Sequence, residues 1–375
     1  MLKKIFSVTN EINSCHKIIT VFGFKFKFKS SKLMIEKQNL QIKNLNKKLE
    51  QARQKTKKLN FRIDNWKQKL RPTLKYSKYA QYQINKSLID IQIKKFKKNG
   101  KIGINQTEER TPKIIVSLTT FPERIGDVHY AVFSLLNQTV KPDRVILWLA
   151  EEQFPDREDD LSQELLDLKD YGLTIKYTND IRSFKKSIPT LKEYKDEILV
   201  TADDDIYYDT DWLEKLYKAH LKNPNHICAH LVARVKLNND TIVPFRQWDQ
   251  HIADESASLL NFAMTGAGVL FPPNSLYKDV LNFDLISELS PCSDENWFWA
   301  MAILNKTPIE VVPDPIYRYK KVNVLRDCCF GNELTLAREN MDSNRKDLYI
   351  QNIIGHYPQL LETLREEYKK NEMLV

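Results

Sequence analysis

The chain has 375 residues, of which 42% are hydrophobic and 29% are charged, and its formal net charge is +9. This length predicts one catalytic domain of ordinary size with an appendage. The charge is divided: residues 1–112 hold 28 Lys and Arg against 7 Asp and Glu, a net +21, and the rest holds 30 against 42, a net −12. A domain with net negative charge is poorly suited to gripping a phosphate backbone, which argues against a nucleic-acid partner.

The five cysteines are odd in number and lack the paired spacing of a zinc site, which indicates a reducing compartment. No apolar run approaches the ~20 residues of a membrane span. We therefore expect a cytoplasmic protein, soluble or peripheral at the inner face of the cell membrane. We assign the basic N-terminal part to localisation, although a lysine-rich helix is often only a solvated one.

Residues 1–32 form a basic, hairpin-like segment. In an extended chain, the run HKIITVFGFKFKFK would put Phe22, Phe24, Phe26 and Phe28 on one face and its lysines on the other. Two interpretations stay open. The aromatic face could pack against Ile5, Phe6 and Val8 in a small hairpin, or it could insert at an anionic membrane surface.

Residues 33–71 carry a heptad pattern that predicts a coiled coil and a homo-oligomer formed through residues 35–70. A long helix packed on its own catalytic domain would show the same stripe. Pro72 is expected to end this helix, and residues 72–112 read as a connector. The heptad positions are Ile35, Gln38, Ile42, Leu45, Leu49, Ala52, Thr56, Leu59, Ile63, Trp66 and Leu70.

From residue 113 to about 330, apolar strands alternate with helical patterns. The strand-like runs are KIIVSLTT, RVILWLA, LTIKYT and EILVTA, with helices expected near Val128–Asn137 and Leu161–Leu168. This alternation predicts an α/β domain with a mostly parallel sheet and flanking helices. Residues 331–375 are expected to form a C-terminal helical extension.

The strand EILVTA runs directly into Asp203, Asp204 and Asp205. Ligands in open α/β sheets bind beyond the carboxyl ends of strands, so this is where a site is expected. With a two-residue period, Asp203 and Asp205 share one face, and a hard cation such as Mg²⁺ or Mn²⁺ between them would relieve their repulsion. The other interpretation is a turn and helix start capped by Asp209 or Thr210, which explains three carboxylates at the end of a buried strand poorly.

Four motifs in this order resemble the GT-A glycosyltransferases, in particular the family 2-like enzymes of bacterial surface polysaccharide assembly. They are VSLTTFPERI, AVFSLLNQTVKPDRVILWL, the DXD-like TADDDIYY and the acidic SDENWFWAMAIL, spread over residues 113–319. The resemblance implies a Rossmann-like GT-A fold and transfer of a sugar, with inversion, from a nucleotide-sugar donor to a hydroxyl of a capsule or lipopolysaccharide glycan.

The resemblance also implies roles for individual residues on the donor side. Asp203 and Asp205 would hold Mn²⁺ or Mg²⁺ with the donor diphosphate, and Asp204 would touch the ribose or orient the loop. The remaining donor-side candidates are Asp180 near the nucleotide, Lys185 or Lys186 toward phosphate, and Thr119, Pro122 and Arg124 after the first strand. The second strand ends in LWLAEEQF and not in the Asp-rich turn of many family members, which leaves the base open.

On the acceptor side, Asp294 and Glu295 open an aromatic-rich helix, and either is a candidate base for the acceptor hydroxyl; helix capping is the competing role. Trp297 and Trp299 would suit a sugar-stacking surface or the core. Gly266 and Gly268 in TGAGVLFPP mark places where the backbone passes close to another group.

Two other functions stay open. A nucleotidyltransferase also uses an acidic metal pair, but it would usually show a glycine-rich loop near the first strand, and SLTTFPER has no glycine. A non-catalytic coiled-coil module that binds sugar or nucleotide would oligomerise without turnover, and it gives no reason to cluster three aspartates.

Overall fold

The computed structural model describes residues 6–11, 16–22, 24–29, 31–316, 320–323 and 344–372. The chain divides into two compact units, Met1–Tyr76 and Ser77–Val375. Within the described ranges, no helix is both long enough and apolar enough to cross a membrane.

The N-terminal unit begins with a three-stranded antiparallel sheet. Strands β1 (Phe6–Glu11), β2 (His16–Val21) and β3 (Phe24–Lys29) are arranged with β2 in the centre. The alternating FKFKFK run is a strand, as its two-residue period predicts. Ile5, one of the predicted packing partners, lies outside the described residues.

Helix α1 extends from Ser31 to Lys98, 68 residues in one element. The prediction that Pro72 ends the helix is wrong, because α1 continues to Lys98, and the assignment of residues 72–112 to a connector stays a prediction. Proline removes one backbone hydrogen bond inside a helix, but it does not break the helix where good helix formers such as Leu, Lys, Gln and Ala continue on its far side. Whether residues 35–70 form a coiled coil stays a prediction.

The second unit is built on a seven-stranded sheet, and the predicted α/β fold with a mostly parallel sheet is confirmed. The strand order is β14-β8-β13-β7-β4-β5-β6, and the four strands β4, β5, β6 and β7 run parallel to one another. β13 is antiparallel to both of its neighbours. The strands are β4 (Ile114–Thr119), β5 (Arg144–Ala150), β6 (Leu173–Thr178), β7 (Ile198–Thr201), β8 (Ile227–Ala229), β13 (Val269–Phe271) and β14 (Ile309–Val311).

Short strands beside this sheet complete the β-structure of the described chain. β9 (Val232–Arg234) pairs with β12 (Asn261–Ala263), and β10 (Leu237–Asn238) pairs with β11 (Thr241–Ile242).

Helices cover both faces of the sheet, and β4, β5 and β7 are largely apolar runs buried on both sides, whereas the edge strand β6 is half-buried. In β7, Leu199 packs into one core cluster and Val200 into the other. The predicted helix near Val128–Asn137 is α2, and the one near Leu161–Leu168 is α3 with a 3-10 turn after it. The helices are α2 (Val128–Leu136), α3 (Gln163–Leu166), α4 (Ile188–Glu193), α5 (Trp212–Lys222), α6 (Phe283–Leu289), α7 (Asp294–Leu304), α8 (Arg345–His356) and α9 (Pro358–Glu372).

Helices α8 and α9 pack against α7, and Ile353 and Leu360 are fully buried there. The helical pattern predicted after residue 331 is thus found in the described part of that segment. The predicted boundary between residues 330 and 331 falls outside the described residues.

Candidate functional site

The aspartate triplet follows β7 and lies beside the loop after β4, because these two strands are neighbours in the parallel sheet. Asp204 is buried and joins the two loops. Its carboxylate accepts hydrogen bonds from Thr120 Oγ1 at 2.5 Å and from Arg124 Nη1 at 2.6 Å. Asp204 therefore joins the loop after β7 to the loop after β4, and its role toward a nucleotide stays a prediction.

Arg124 connects two members of the triplet. Its Nη1 atom also lies 3.2 Å from Asp205 Oδ2. Burial opposes the charge on this guanidinium, but the attraction of Asp204 and Asp205 outweighs burial and raises the pKa of Arg124. Its buried Nε has no hydrogen-bond partner among the described residues. The Nη1 atom of Arg124 is thus bound to two carboxylates, and its Nε–H group is left as a donor for a ligand.

Lys186 links Asp203 to the start of α7. Its buried ammonium donates to Asp203 Oδ1 at 2.8 Å and to Thr265 Oγ1 at 3.2 Å, and it lies 3.2 Å from Asp294 Oδ2. Burial opposes this charge, but the two carboxylates raise the pKa of Lys186. An ammonium has three N–H donors, so these three acceptors use all of them. The structure does not direct Lys186 toward open space, as a phosphate contact would require.

Asp203 is held on several sides by the groups around it. Its amide donates to Tyr208 Oη at 2.7 Å, and that hydroxyl donates to the Gly266 carbonyl at 2.7 Å. Burial would raise the pKa of the Asp203 carboxyl, but Lys186, and after it Lys321 and Arg124, lower it. Asp203 is therefore a carboxylate at neutral pH.

Both glycines predicted to lie at close approaches do so. A Cβ on Gly266 would lie 2.2 Å from Asp203 Oδ2, and a Cβ on Gly268 would lie 2.4 Å from Trp212 Nε1. Gly268 also has a φ of +111°, which disfavours any side chain there.

Lys321 is a site residue that the sequence analysis missed. Its ammonium donates to Asp205 Oδ2 at 2.7 Å, and the Val322 amide donates to the Asp205 carbonyl at 2.8 Å. Segment 320–323 thus pairs with the aspartate loop. The two residues are 116 positions apart in the sequence, and no local pattern around Lys321 signals the contact.

Asp294 and Glu295 have different surroundings. Ser293 caps α7 by accepting from the Asn296 amide, so the helix does not need Asp294 as its cap. Asp294 is buried, and Thr265 Oγ1 donates to its Oδ2 at 3.0 Å. Glu295 forms an ion pair with Lys346 of α8 at 2.6 Å. Of the two, only Asp294 is connected to the aspartate triplet.

The ammonium of Lys346 also lies 4.2 Å from the centre of the Phe245 ring.

The interpretation of Trp297 and Trp299 as a sugar-stacking surface is wrong, since they are 0% and 2% exposed and belong to the core.

The remaining candidates are not brought to the triplet. Lys185 is buried and donates to Asp180 Oδ1 at 2.5 Å. The Arg182 amide donates to the same oxygen at 3.0 Å, which is an Asx turn. Thr119 Oγ1 donates to the Trp148 carbonyl at 2.8 Å. Pro122 opens the 3-10 turn that carries Arg124, so its contribution is to shape that loop.

The carboxylates of the triplet offer an incomplete set of ligands for a divalent cation. Among the described residues, no group of three or more His, Cys, Asp or Glu is arranged to hold a metal ion. Mg²⁺, however, is commonly held by one or two carboxylates together with substrate phosphates. Asp203 binds Lys186 through Oδ1, and Asp205 binds Lys321 and Arg124 through Oδ2. The second oxygen of each carboxylate has no hydrogen-bond partner among the described residues, so Asp203 Oδ2 and Asp205 Oδ1 are the oxygens left uncommitted.

No protein-family model matches the chain, and no curated protein matches it in sequence. Solved glycosyltransferases are among its structural neighbours. S. aureus TarS 1–349 is similar at 18% identity and a TM-score of 0.38, with 64% of this chain and 70% of that chain covered. The mannosyltransferase PcManGT from Pyrobaculum calidifontis, in complex with GDP-Man and Mn²⁺, is similar at 12% identity and a TM-score of 0.36, with 65% and 66% covered.

The inositol-1-phosphate CTP transferase of T. maritima is similar to the same degree, at 13% identity and a TM-score of 0.35, with 66% of this chain and 98% of that chain covered. At TM-scores below 0.5 and identities below 20%, these similarities do not establish a shared activity.

Proposed function

We propose that the second unit is a glycosyltransferase that moves a sugar from a nucleotide-sugar donor to a hydroxyl of a glycan acceptor. The observation that supports this most is the Lys186 ammonium, which joins a carboxylate at the end of β7 to a buried carboxylate at the start of α7. Glycosyl transfer needs a carboxylate that holds a cation beside the leaving diphosphate and a base beside the acceptor, and this arrangement offers a candidate for each.

On the donor side, Asp203 and Asp205 would hold Mn²⁺ or Mg²⁺ through their uncommitted oxygens. When bound, the cation would offset the negative charge that develops on the leaving nucleoside diphosphate. Arg124 offers its unpartnered Nε to the same anion, and Asp204 keeps the two loops together. Asp180, Lys185, Thr119 and Pro122 would shape the nucleotide end of the site, where Asp180 and Lys185 are a mutual ion pair.

On the acceptor side, Asp294 is the base. It accepts the proton of the acceptor hydroxyl while that oxygen attacks the anomeric carbon, and the bond from this carbon to the diphosphate oxygen breaks with its electron pair going to the diphosphate. Direct displacement of this kind inverts the anomeric carbon. Glu295 is assigned to the contact with α8, because its carboxylate is already paired with Lys346.

In this scheme, Lys186 is a positioning residue. Its buried ammonium contacts both Asp203 and Asp294, so the donor and the acceptor base are held at fixed positions relative to each other. Thr265 Oγ1 contacts both the ammonium and Asp294 and completes the arrangement. We propose as acceptor a growing surface glycan of the capsule or lipopolysaccharide type.

The test is a product assay of the full chain with a panel of sugar nucleotides, Mn²⁺ or Mg²⁺ and a glycan acceptor. A glycosyltransferase releases nucleoside diphosphate and leaves a new glycosidic bond. A nucleotidyltransferase, given nucleoside triphosphate and sugar phosphate, releases pyrophosphate instead. Pyrophosphate release without any nucleoside diphosphate would overturn the proposal in favour of nucleotidyl transfer.

A further inference from the structure

The N-terminal sheet has one apolar face. Directly paired residues of antiparallel strands lie on the same side, and the register pairs Val21 with Phe24 and Ile19 with Phe26 and Val8. Phe24, Phe26 and Val8 are 72%, 51% and 49% exposed. Large apolar side chains gathered on one face at this exposure indicate an interaction surface.

The opposite face of the same sheet is basic. Lys25, Lys27 and Lys29 alternate with the phenylalanines of β3 and are exposed. Because a sheet is about 10 Å thick and the Debye length is about 10 Å at 0.1 M salt, these charges still attract anions that lie against the apolar face. A surface that joins exposed aromatics with nearby lysines suits a partner that is apolar inside and anionic outside.

Helix α1 continues this pattern. The described part of its heptad stripe includes five large apolar side chains that are 51–63% accessible: Ile35, Ile42, Leu45, Leu49 and Leu59. Residues 1–76 hold 20 Lys and Arg against 4 Asp and Glu, a net +16. The N-terminal unit is therefore a strongly cationic body with two exposed apolar surfaces.

The charges beside the α1 stripe disfavour a second copy of the chain as the partner, although the heptad pattern itself predicts a homo-oligomer through residues 35–70. In a coiled coil, side chains at the e and g positions beside the stripe set the choice of partner. Here these positions, 39, 41, 46, 48, 53, 55, 60, 62, 67 and 69, hold only Lys, Arg, Asn and Gln. A parallel pair of these helices would set Lys48 of one copy against Arg53 of the other, and like charges across the seam repel.

We propose that the apolar face of the N-terminal sheet, flanked by basic α1, docks on an anionic lipid bilayer. The phenylalanines enter the boundary between headgroups and acyl chains, and the lysines of the opposite face and the basic residues of α1 attract the anionic headgroups. A bilayer satisfies both halves of the surface, because it offers apolar contact at the depth of Phe24 and Phe26 and negative charge above it.

The test is flotation of the full chain with phosphatidylcholine vesicles that contain or lack phosphatidylglycerol. Binding is expected only with phosphatidylglycerol, and it should fall as NaCl rises from about 0.1 M to 1 M, which shortens the Debye length from about 10 Å to 3 Å. The double variant Phe24→Ser, Phe26→Ser should bind at least about tenfold more weakly. Leu221→Ser is the matched control, since Leu221 is 61% exposed on α5 in the other unit, and it should bind like the parent.

A conservative variant keeps the proposal testable if the double variant fails to fold. Phe24→Trp preserves the apolar face, and the emission that it adds to that of the parent should shift to the blue only when phosphatidylglycerol vesicles are present. The proposal is overturned if the chain does not bind these vesicles or if the serine variant floats with them as the parent does. It is also overturned if the lipid-free Phe24→Trp variant is already an oligomer in which the added emission is shifted, because a second copy then covers the face.

Discussion

Gly266 and Asp203 are packed so closely that a methyl group on Gly266 would lie 2.2 Å from Asp203 Oδ2. That oxygen is the one that Lys186 does not bind. A side chain at residue 266 would therefore displace the Asp203 carboxylate from the position in which the proposed cation would meet it.

Gly266→Ala should keep the fold and lower the rate of donor turnover by about 10²-fold, since displacing a positioning group by about 1 Å costs that much. Steady-state kinetics with the sugar nucleotide measures it. Gly355→Ala is the control, because nothing lies within 4 Å of a Cβ at that helical position. Equal activity in the two variants would show that the Asp203 side chain moves aside without consequence.

Lys186→Met leaves the buried Asp294 and the half-buried Asp203 as neighbouring carboxylates without their cation. Breaking such a buried pair should lower the free energy of unfolding by about 3–5 kcal/mol and abolish sugar transfer. Lys185→Met removes an equally buried ammonium, but its partner Asp180 is 33% exposed, whereas Lys186 also pairs with Asp294, which is 9% exposed, so the loss should be smaller. Urea unfolding compares the two, and a greater loss in Lys185→Met would contradict the assignment.

Asp294→Asn should reduce transfer to the acceptor by about 10²–10⁴-fold, the usual contribution of a positioned base. Donor binding should persist, because the amide retains the shape of the side chain and the Thr265 hydroxyl beside it. Glu295→Gln should keep most of the transfer activity, since Glu295 pairs with Lys346 of α8. If the two variants exchange these phenotypes, Glu295 is the base.

We expect the free energy of unfolding to fall in acid because of His230. Burial lowers its pKa to about 4, and the Ile316 amide approaches Nδ1 while Nε2 contacts the Trp212 carbonyl, an arrangement that requires the neutral ring. A folded-state pKa below the unfolded value of about 6.5 means that stability is complete above pH 6.5 and falls as pH drops toward 4.

Lowering the pH from 7 to 5 should lower the free energy of unfolding by about 2 kcal/mol through the protonation of His230. Urea titrations of the parent and His230→Gln at both pH values measure this contribution as the difference between the two pH dependences. Parallel pH dependences would mean that His230 is not kept neutral by folding.

The α/β fold was predictable because its signal is local. Each parallel strand is an apolar run, and each crossover helix lies between two such runs, so the order of elements follows directly from the chain. The end of α1 was not predictable in this way. Proline is a strong local signal to stop, and the continuation through Pro72 depends on residues beyond it.

The site was predictable in part for the same reason. The aspartate triplet and α7 carry their own patterns, and Gly266 and Gly268 are marked by their spacing. The pairing of Lys186 with both Asp203 and Asp294 requires three separate elements to meet. The contact of Lys321 with Asp205 requires two elements to meet. A sequence without its sheet order cannot show which lysine faces a carboxylate and which faces solvent.

The most direct test of the central claim is nucleoside diphosphate release from a panel of sugar nucleotides, measured with Mn²⁺ or Mg²⁺, with EDTA, and with Asp205→Ala. We expect slow release from one donor class, stopped by EDTA and lost in the variant. Release that persists in Asp205→Ala, or no release from any donor at any metal concentration, would contradict it.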